Sequence, residues 1–88
     1  MKVLCVCGLG QGTSLLLKMN VSDVLKQLGK DADVENTDLS SAGSLNPDLI
    51  VTNSEFKKQL KNDVPVVIVE NYFDKNEIKD KLERYFNN

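Results

Sequence analysis

Apolar residues along this chain fall into two alternating spacings. Four short runs read as strands: Lys2 to Cys7, Ala32 to Thr37, Asp48 to Asn53 and Pro65 to Glu70. After the first, third and fourth of them, apolar positions recur every three or four residues, the period of a helix with one buried face. Val3-Leu4-Cys5-Val6 and Val66-Val67-Ile68-Val69 are continuous apolar runs, as expected of parallel strands covered on both faces. The helical period is clearest from Ser14 to Leu28, where Leu17, Val21, Val24 and Leu28 share a face and Gly29 supplies the residue favoured just past a helix end. A short helix capped by Ser54 directs Phe56 and Leu60 inward. The last helix opens at Asp74. Glu77 completes a capping-box-like pair there, Phe73 is set to staple onto Ile78, and Leu82 and Phe86 continue the buried stripe. The stretch from Asp38 to Pro47, rich in Ser, Gly and Asn, reads as a connection.

This alternation predicts an α/β fold, with a four-stranded parallel sheet of order 2-1-3-4 flanked by three helices in a Rossmann-like or flavodoxin-like arrangement. The winding reverses between strands one and three, and sheets of this kind bind ligands at that switch point. The loops expected to meet there are Cys7 to Thr13 after strand one and Thr52-Asn53-Ser54 after strand three. The 88 residues are expected to form one domain, residues 1–88.

Composition narrows the function. The apolar share of 41% with 27% charged residues suits a globular protein, and the apolar runs fall well short of the ~20 residues a membrane span requires. No cleavable signal follows Met1-Lys2, so a reducing cytoplasm and two free thiols are expected. The 11 basic and 13 acidic residues are interspersed and lack the basic face of a nucleic-acid binder. The chain has no histidine, which removes a Ser-His-Asp triad, a Cys-His pair and a His-rich metal site. No cofactor and no metal are expected, and any catalysis falls to cysteine or to a partner.

Cys7 opens the stretch Gly8-Leu9-Gly10-Gln11-Gly12-Thr13-Ser14, which puts a thiol on a glycine-rich loop between a strand and a helix. Backbone amides of such a loop converge into an anion-binding nest, and the helix N-terminus adds roughly half a positive charge. A helix N-terminus can lower a cysteine pKa from about 8.5 to roughly 3.5 to 7.5, which makes Cys7 a candidate nucleophile at neutral pH. Other readings of the loop fit less well. A dinucleotide fingerprint needs a third glycine where Thr13 stands, and only Asp38, at the end of strand two, favours it. The Walker pattern fails because no Gly-Lys-Ser/Thr follows. Cys5 and Cys7 cannot complete a four-ligand zinc site without histidine, and two strand residues at i and i+2 lie about 6.6 Å apart, at the edge of disulfide geometry. Cys5 reads as a core residue. Cys7-x5-Thr13-Ser14 matches the tyrosine-phosphatase phosphate loop, Cys-x5-Arg-Ser/Thr, except that threonine replaces the arginine. Without a guanidinium to clamp the equatorial oxygens, such a loop can form a phosphocysteine but lacks the main stabiliser of its hydrolysis. That is the behaviour of a carrier.

At these residues the chain resembles the cysteine-type IIB components of the bacterial phosphoenolpyruvate-dependent sugar phosphotransferase system, in the ascorbate and galactitol branch. The resemblance spans the chain in length and element order. It is most specific in Cys7-Gly8-x-Gly10-Gln11-Gly12-Thr13-Ser14 and in Lys18-Met19. It implies a phosphotransferase in which Cys7 accepts a phosphoryl group from a phosphohistidine of a IIA component and passes it to sugar bound in a membrane IIC permease. It further implies that Gly8, Leu9, Gly10, Gln11, Gly12, Thr13 and Ser14 bind the phosphate, and that the protein is cytoplasmic and visits the inner face of the membrane transiently. Two alternatives stay open: a small cysteine-dependent phosphatase with Asp74 as general acid, and a non-catalytic regulatory binding module.

Overall fold

β1 (Lys2–Val6) lies between β2 (Asp33–Thr37) and β3 (Leu49–Thr52), and β4 (Val66–Ile68) lines the far edge. In this computed structural model, which describes residues 1–6, 11–38, 46–60 and 64–87 and only the backbone of 11–14, all three pairings are parallel and the order is β2-β1-β3-β4, as the sequence predicts. Val3 stands opposite Val34 on one side and Leu49 on the other, and Ile50 opposite Val66. The helices among the described residues are α1 (Gln11–Gln27), α2 (Ser54–Lys57) and α3 (Lys75–Phe86).

Strand pleating divides the core in two. Val3, Cys5, Leu49, Val51 and Val67 point toward α1 and α3, where they meet Leu17, Val21, Val24, Leu25, Ile78 and Leu82. Leu4, Val6 and Ile50 point to the opposite face and pack with Leu60, Val64 and Val66. The continuous apolar run of β1 follows from this, since both of its faces are covered and Val3 to Val6 are wholly buried. Leu28 and Phe86, expected in the stripes, are only partly buried at the rim.

Several local expectations need correction. α1 begins at Gln11, three residues before the expected Ser14. The first turn of a helix needs no intrahelical partners for its amides, so Gly12 and the polar run beside it cost little there. The N-cap of α2 is Asn53, whose side chain accepts from the Phe56 amide at 2.8 Å, so Ser54 is the first helical residue. Asp74 does cap α3, its Oδ1 accepting from the amides of Asn76 and Glu77. The reciprocal half of the capping box is absent, because the Asp74 amide already donates to the Asn71 carbonyl. Glu77 instead accepts from the amides of Glu70 and Asn71 at 2.8 and 3.0 Å. Phe73 is no staple: it is 72% exposed, and the neighbouring Tyr72 enters the core in its place.

α1 ends as its sequence predicts. Gly29 has φ +73°, its amide donates to the Lys26 carbonyl, and the Lys30 amide donates to the Leu25 carbonyl, the two bonds of a Schellman cap. A β-carbon added at Gly29 meets nothing within 4 Å. The cost of Gly29→Ala is therefore conformational alone, and we expect a loss of about 1 kcal/mol, with Gly29→Asn milder because asparagine tolerates the left-handed region. Urea midpoints of the three proteins at unchanged slope check this ordering.

Candidate functional site

Parallel sheets of this topology bind ligands outside the carboxyl ends of their strands, where the winding reverses. β1 stops at Val6 and α1 starts at Gln11, so residues 7–10 join them at the point where the winding reverses between β1 and β3. Cys7, Gly8, Leu9 and Gly10 lie outside the described residues. The expected phosphatase-like shape of their loop lies outside them too. Gln11, Gly12, Thr13 and Ser14 form the first turn of α1, so their amides are those a helix leaves without intrahelical carbonyl partners. That turn carries no acidic side chain, and the positive end of a 17-residue helix is left unneutralised by its own sequence.

Among the described residues two polar side chains, those of Thr52 and Asn20, are buried, and each holds a backbone carbonyl. The Thr52 hydroxyl, fully buried at the end of β3, donates to the carbonyl of Val6 at 2.9 Å. The Thr52 carbonyl in turn accepts from the Val69 amide at 2.8 Å, so this one residue ties together the ends of β1, β3 and β4. Asn20, on α1, donates from Nδ2 to the Tyr72 carbonyl at 2.9 Å and anchors the segment after β4 to the helix. An ion pair between Lys75 and Asp23 at 2.9 Å repeats that link one turn further along. The Lys75 ammonium holds the Asp23 carboxyl below its ordinary value, first by its hydrogen bond and then by its charge. The pair is present above the ordinary carboxylate range and lost as the pH falls through the lowered one.

Of the polar groups expected beside the crevice after β3, Thr52 faces β1 and Asn53 caps α2, while Ser54 is exposed. Asp74, the acid of the phosphatase alternative, receives two amides on one oxygen as the α3 cap. Asn20 was not singled out by sequence reasoning, although the signal was there: it is a polar residue inside the apolar stripe of Leu17, Val21 and Val24.

Cys5 sits one strand position from Val6 with its side chain on the opposite face, wholly buried among the residues that meet α1 and α3. Burial pushes its thiol up to about 12, with the charge of Lys18 acting weakly the other way. A thiol so raised is neither nucleophile nor carrier at neutral pH. Native protein at pH 8 is expected to leave Cys5 unlabelled by iodoacetamide, and denaturant to release it; peptide mass mapping reads both states.

A four-stranded parallel sheet of this order, with a helix following its first strand at the point where the winding reverses, places the chain in the class of small doubly wound α/β proteins. Within that class the particular family follows from comparison with known proteins. The chain belongs to the family described as phosphotransferase-system lactose/cellobiose-specific IIB subunits, whose model matches residues 2–84. It is also similar to the ascorbate-specific phosphotransferase-system EIIB component of Mycoplasma pneumoniae (strain ATCC 29342 / M129 / Subtype 1), with 34% identity over 88 residues, covering 93% of this chain and 90% of that protein. As a IIB component the protein is a phosphotransferase subunit of a sugar transport system, and subunits of this kind generally partner with IIA and IIC components. Among the described residues no helix is long and apolar enough to cross a membrane.

Proposed function

We propose that residues 1–88 act as one phosphocarrier domain in which Cys7 is the phosphorylated residue. The observation that carries this reading is membership of the IIB family together with the position of residue 7, between the end of β1 and the first turn of α1 at the switch point. In the first step the Cys7 thiolate attacks the phosphorus of a phosphohistidine on a IIA component. An S–P bond forms as the P–N bond breaks, and the imidazole nitrogen leaves with the electron pair. In the second step a hydroxyl of sugar bound in a IIC permease attacks the same phosphorus, sulfur departs as thiolate, and a base on the permease side takes the hydroxyl proton. Neither step asks this chain for a general base, consistent with its lack of histidine.

The amides of Gly8, Leu9, Gly10, Gln11, Gly12, Thr13 and Ser14 are the proposed cradle for the phosphoryl oxygens, in a loop of the tyrosine-phosphatase kind with Thr13 in place of the arginine. Catalysis is then positioning plus the fixed dipoles of the nest. The similarity to an ascorbate-specific component supports ascorbate or a related polar sugar derivative as the transported substrate. The site of action on this reading is the cytoplasm, with transient docking at the inner membrane face.

The test is the intact mass of the protein after incubation with phosphoenolpyruvate, the general phosphotransfer proteins and a cognate IIA component. One added phosphoryl group that persists after removal of the donor supports the carrier. Turnover of an aryl phosphate without a persistent adduct supports the phosphatase instead, and no adduct and no turnover supports the regulatory module.

A further inference from the structure

We propose that Thr52 is a positioning residue for the reactive thiol, acting through its hydrogen bond to the carbonyl of Val6. This rests on the reading of Cys7 as the phosphorylated residue and goes beyond it, because it assigns a role to a residue of another strand.

The backbone ladder between β1 and β3 pairs Val3 with Leu49, Leu4 with Ile50 and Cys5 with Val51. One residue further on, the link between the strands is made by a side chain: the Thr52 hydroxyl donates to the Val6 carbonyl at 2.9 Å across 46 residues of sequence. The hydroxyl is itself held rigidly. Thr52 is wholly buried, stands opposite Ile68 in the β3–β4 register, and its own carbonyl is bound by the Val69 amide. A β-branched side chain on such a backbone has one or two χ1 choices, so the donor has little freedom to move.

The Val6 carbonyl belongs to the peptide group that leads into residue 7. A trans peptide group is planar, with its C=O and the following N–H pointing in opposite directions. A donor that turns the Val6 carbonyl toward β3 therefore also sets the direction in which the chain leaves for Cys7, and keeps that carbonyl dipole engaged away from an incoming phosphoryl group. Losing the donor leaves a buried carbonyl unsatisfied, and the cheapest relief is rotation of this same peptide plane. In-line transfer is sensitive to misplacement of the nucleophile by an ångström or less.

Three substitutions separate this role from mere packing. Thr52→Val keeps the shape and removes the donor, Thr52→Ala removes donor and methyl alike, and Thr52→Ser keeps the donor and removes the methyl. Two rates are measured on each folded protein: phosphoryl uptake from the phosphorylated IIA component, and alkylation of Cys7 by iodoacetamide as a function of pH. Thr52→Val and Thr52→Ala are expected to slow both roughly tenfold at pH 7 and to move the midpoint of the alkylation profile upward, whereas Thr52→Ser retains most of the rate and the original midpoint. Continued protection of Cys5 from alkylation shows that the core is intact. A Thr52→Val protein with wild-type midpoint and uptake overturns the proposal, as does equal slowing by valine and serine, which shows that any change of packing at this buried position does the damage and that the donor has no special part in it. Cys7→Ser run in parallel keeps the two readings apart: uptake by that variant defeats the phosphocysteine itself, while an inactive Cys7→Ser beside an unaltered Thr52→Val defeats only the positioning role.

Discussion

Cys7→Ser is expected to abolish phosphoryl uptake, while Cys5→Ser leaves it largely intact. A serine hydroxyl in the same loop stays protonated at neutral pH, and this chain has no histidine to deprotonate it. Burial in the core holds Cys5 protonated up to about 12, so it contributes packing and no chemistry. Placing a hydroxyl there costs stability, on the order of 1–3 kcal/mol, without touching the reactive group. Intact mass after incubation with the phosphorylated IIA component distinguishes the two variants. Equal loss in both would remove Cys7 from its assigned role, because nothing in the surroundings of Cys5 favours a thiolate.

The largest effect on stability is expected at Ile50. It lies within β3 and is wholly buried in the cluster it forms with Leu4 and Val6, against which Leu60, Val64 and Val66 pack. This is the thinner of the two core layers, and its outer members are themselves only partly buried, so few side chains can close over a void. Ile50→Ala is expected to cost about 3 kcal/mol, a large fraction of the roughly 5 to 15 kcal/mol that holds a small domain together. At about 4 to 8 °C per kcal/mol for a chain of this size, Tm falls by at least roughly 10 °C. Leu60→Ala, at the rim of the same layer, should cost no more than about 1.5 kcal/mol. Thermal unfolding of the two variants beside the parent tests the ordering, and comparable losses would mean that α2 and its flanks bury more than the static structure indicates.

The elements were legible because the signals that define them are local. Burial on both faces wrote β1 as Val3-Leu4-Cys5-Val6, and the four- and three-residue spacing of Leu17, Val21 and Val24, ended by a glycine that can take positive φ, wrote α1. Errors gathered at turns. Asn53 and Ser54 are both good caps, and only the direction in which the chain leaves β3 decides which side chain reaches the Phe56 amide. Tyr72 and Phe73 are adjacent aromatics on a bend, and either reads as the buried one until the turn is built. Glu77 looked like half of a capping box because the pattern does not reveal that the Asp74 amide is already taken by Asn71.

By itself, the sequence determined the order of strands and helices, the sheet order 2-1-3-4, the inert burial of Cys5 and the family resemblance carried by Cys7 to Ser14. Each of these follows from periodicity, connection length or a contiguous motif. Only the tertiary structure decided the partners that lie 46 and 52 residues apart, the Thr52 hydroxyl on the Val6 carbonyl and the Asn20 amide on the Tyr72 carbonyl. A buried polar side chain must find a hydrogen-bond partner, but which one is a matter of where distant backbone groups come to rest when the sheet and its helices pack.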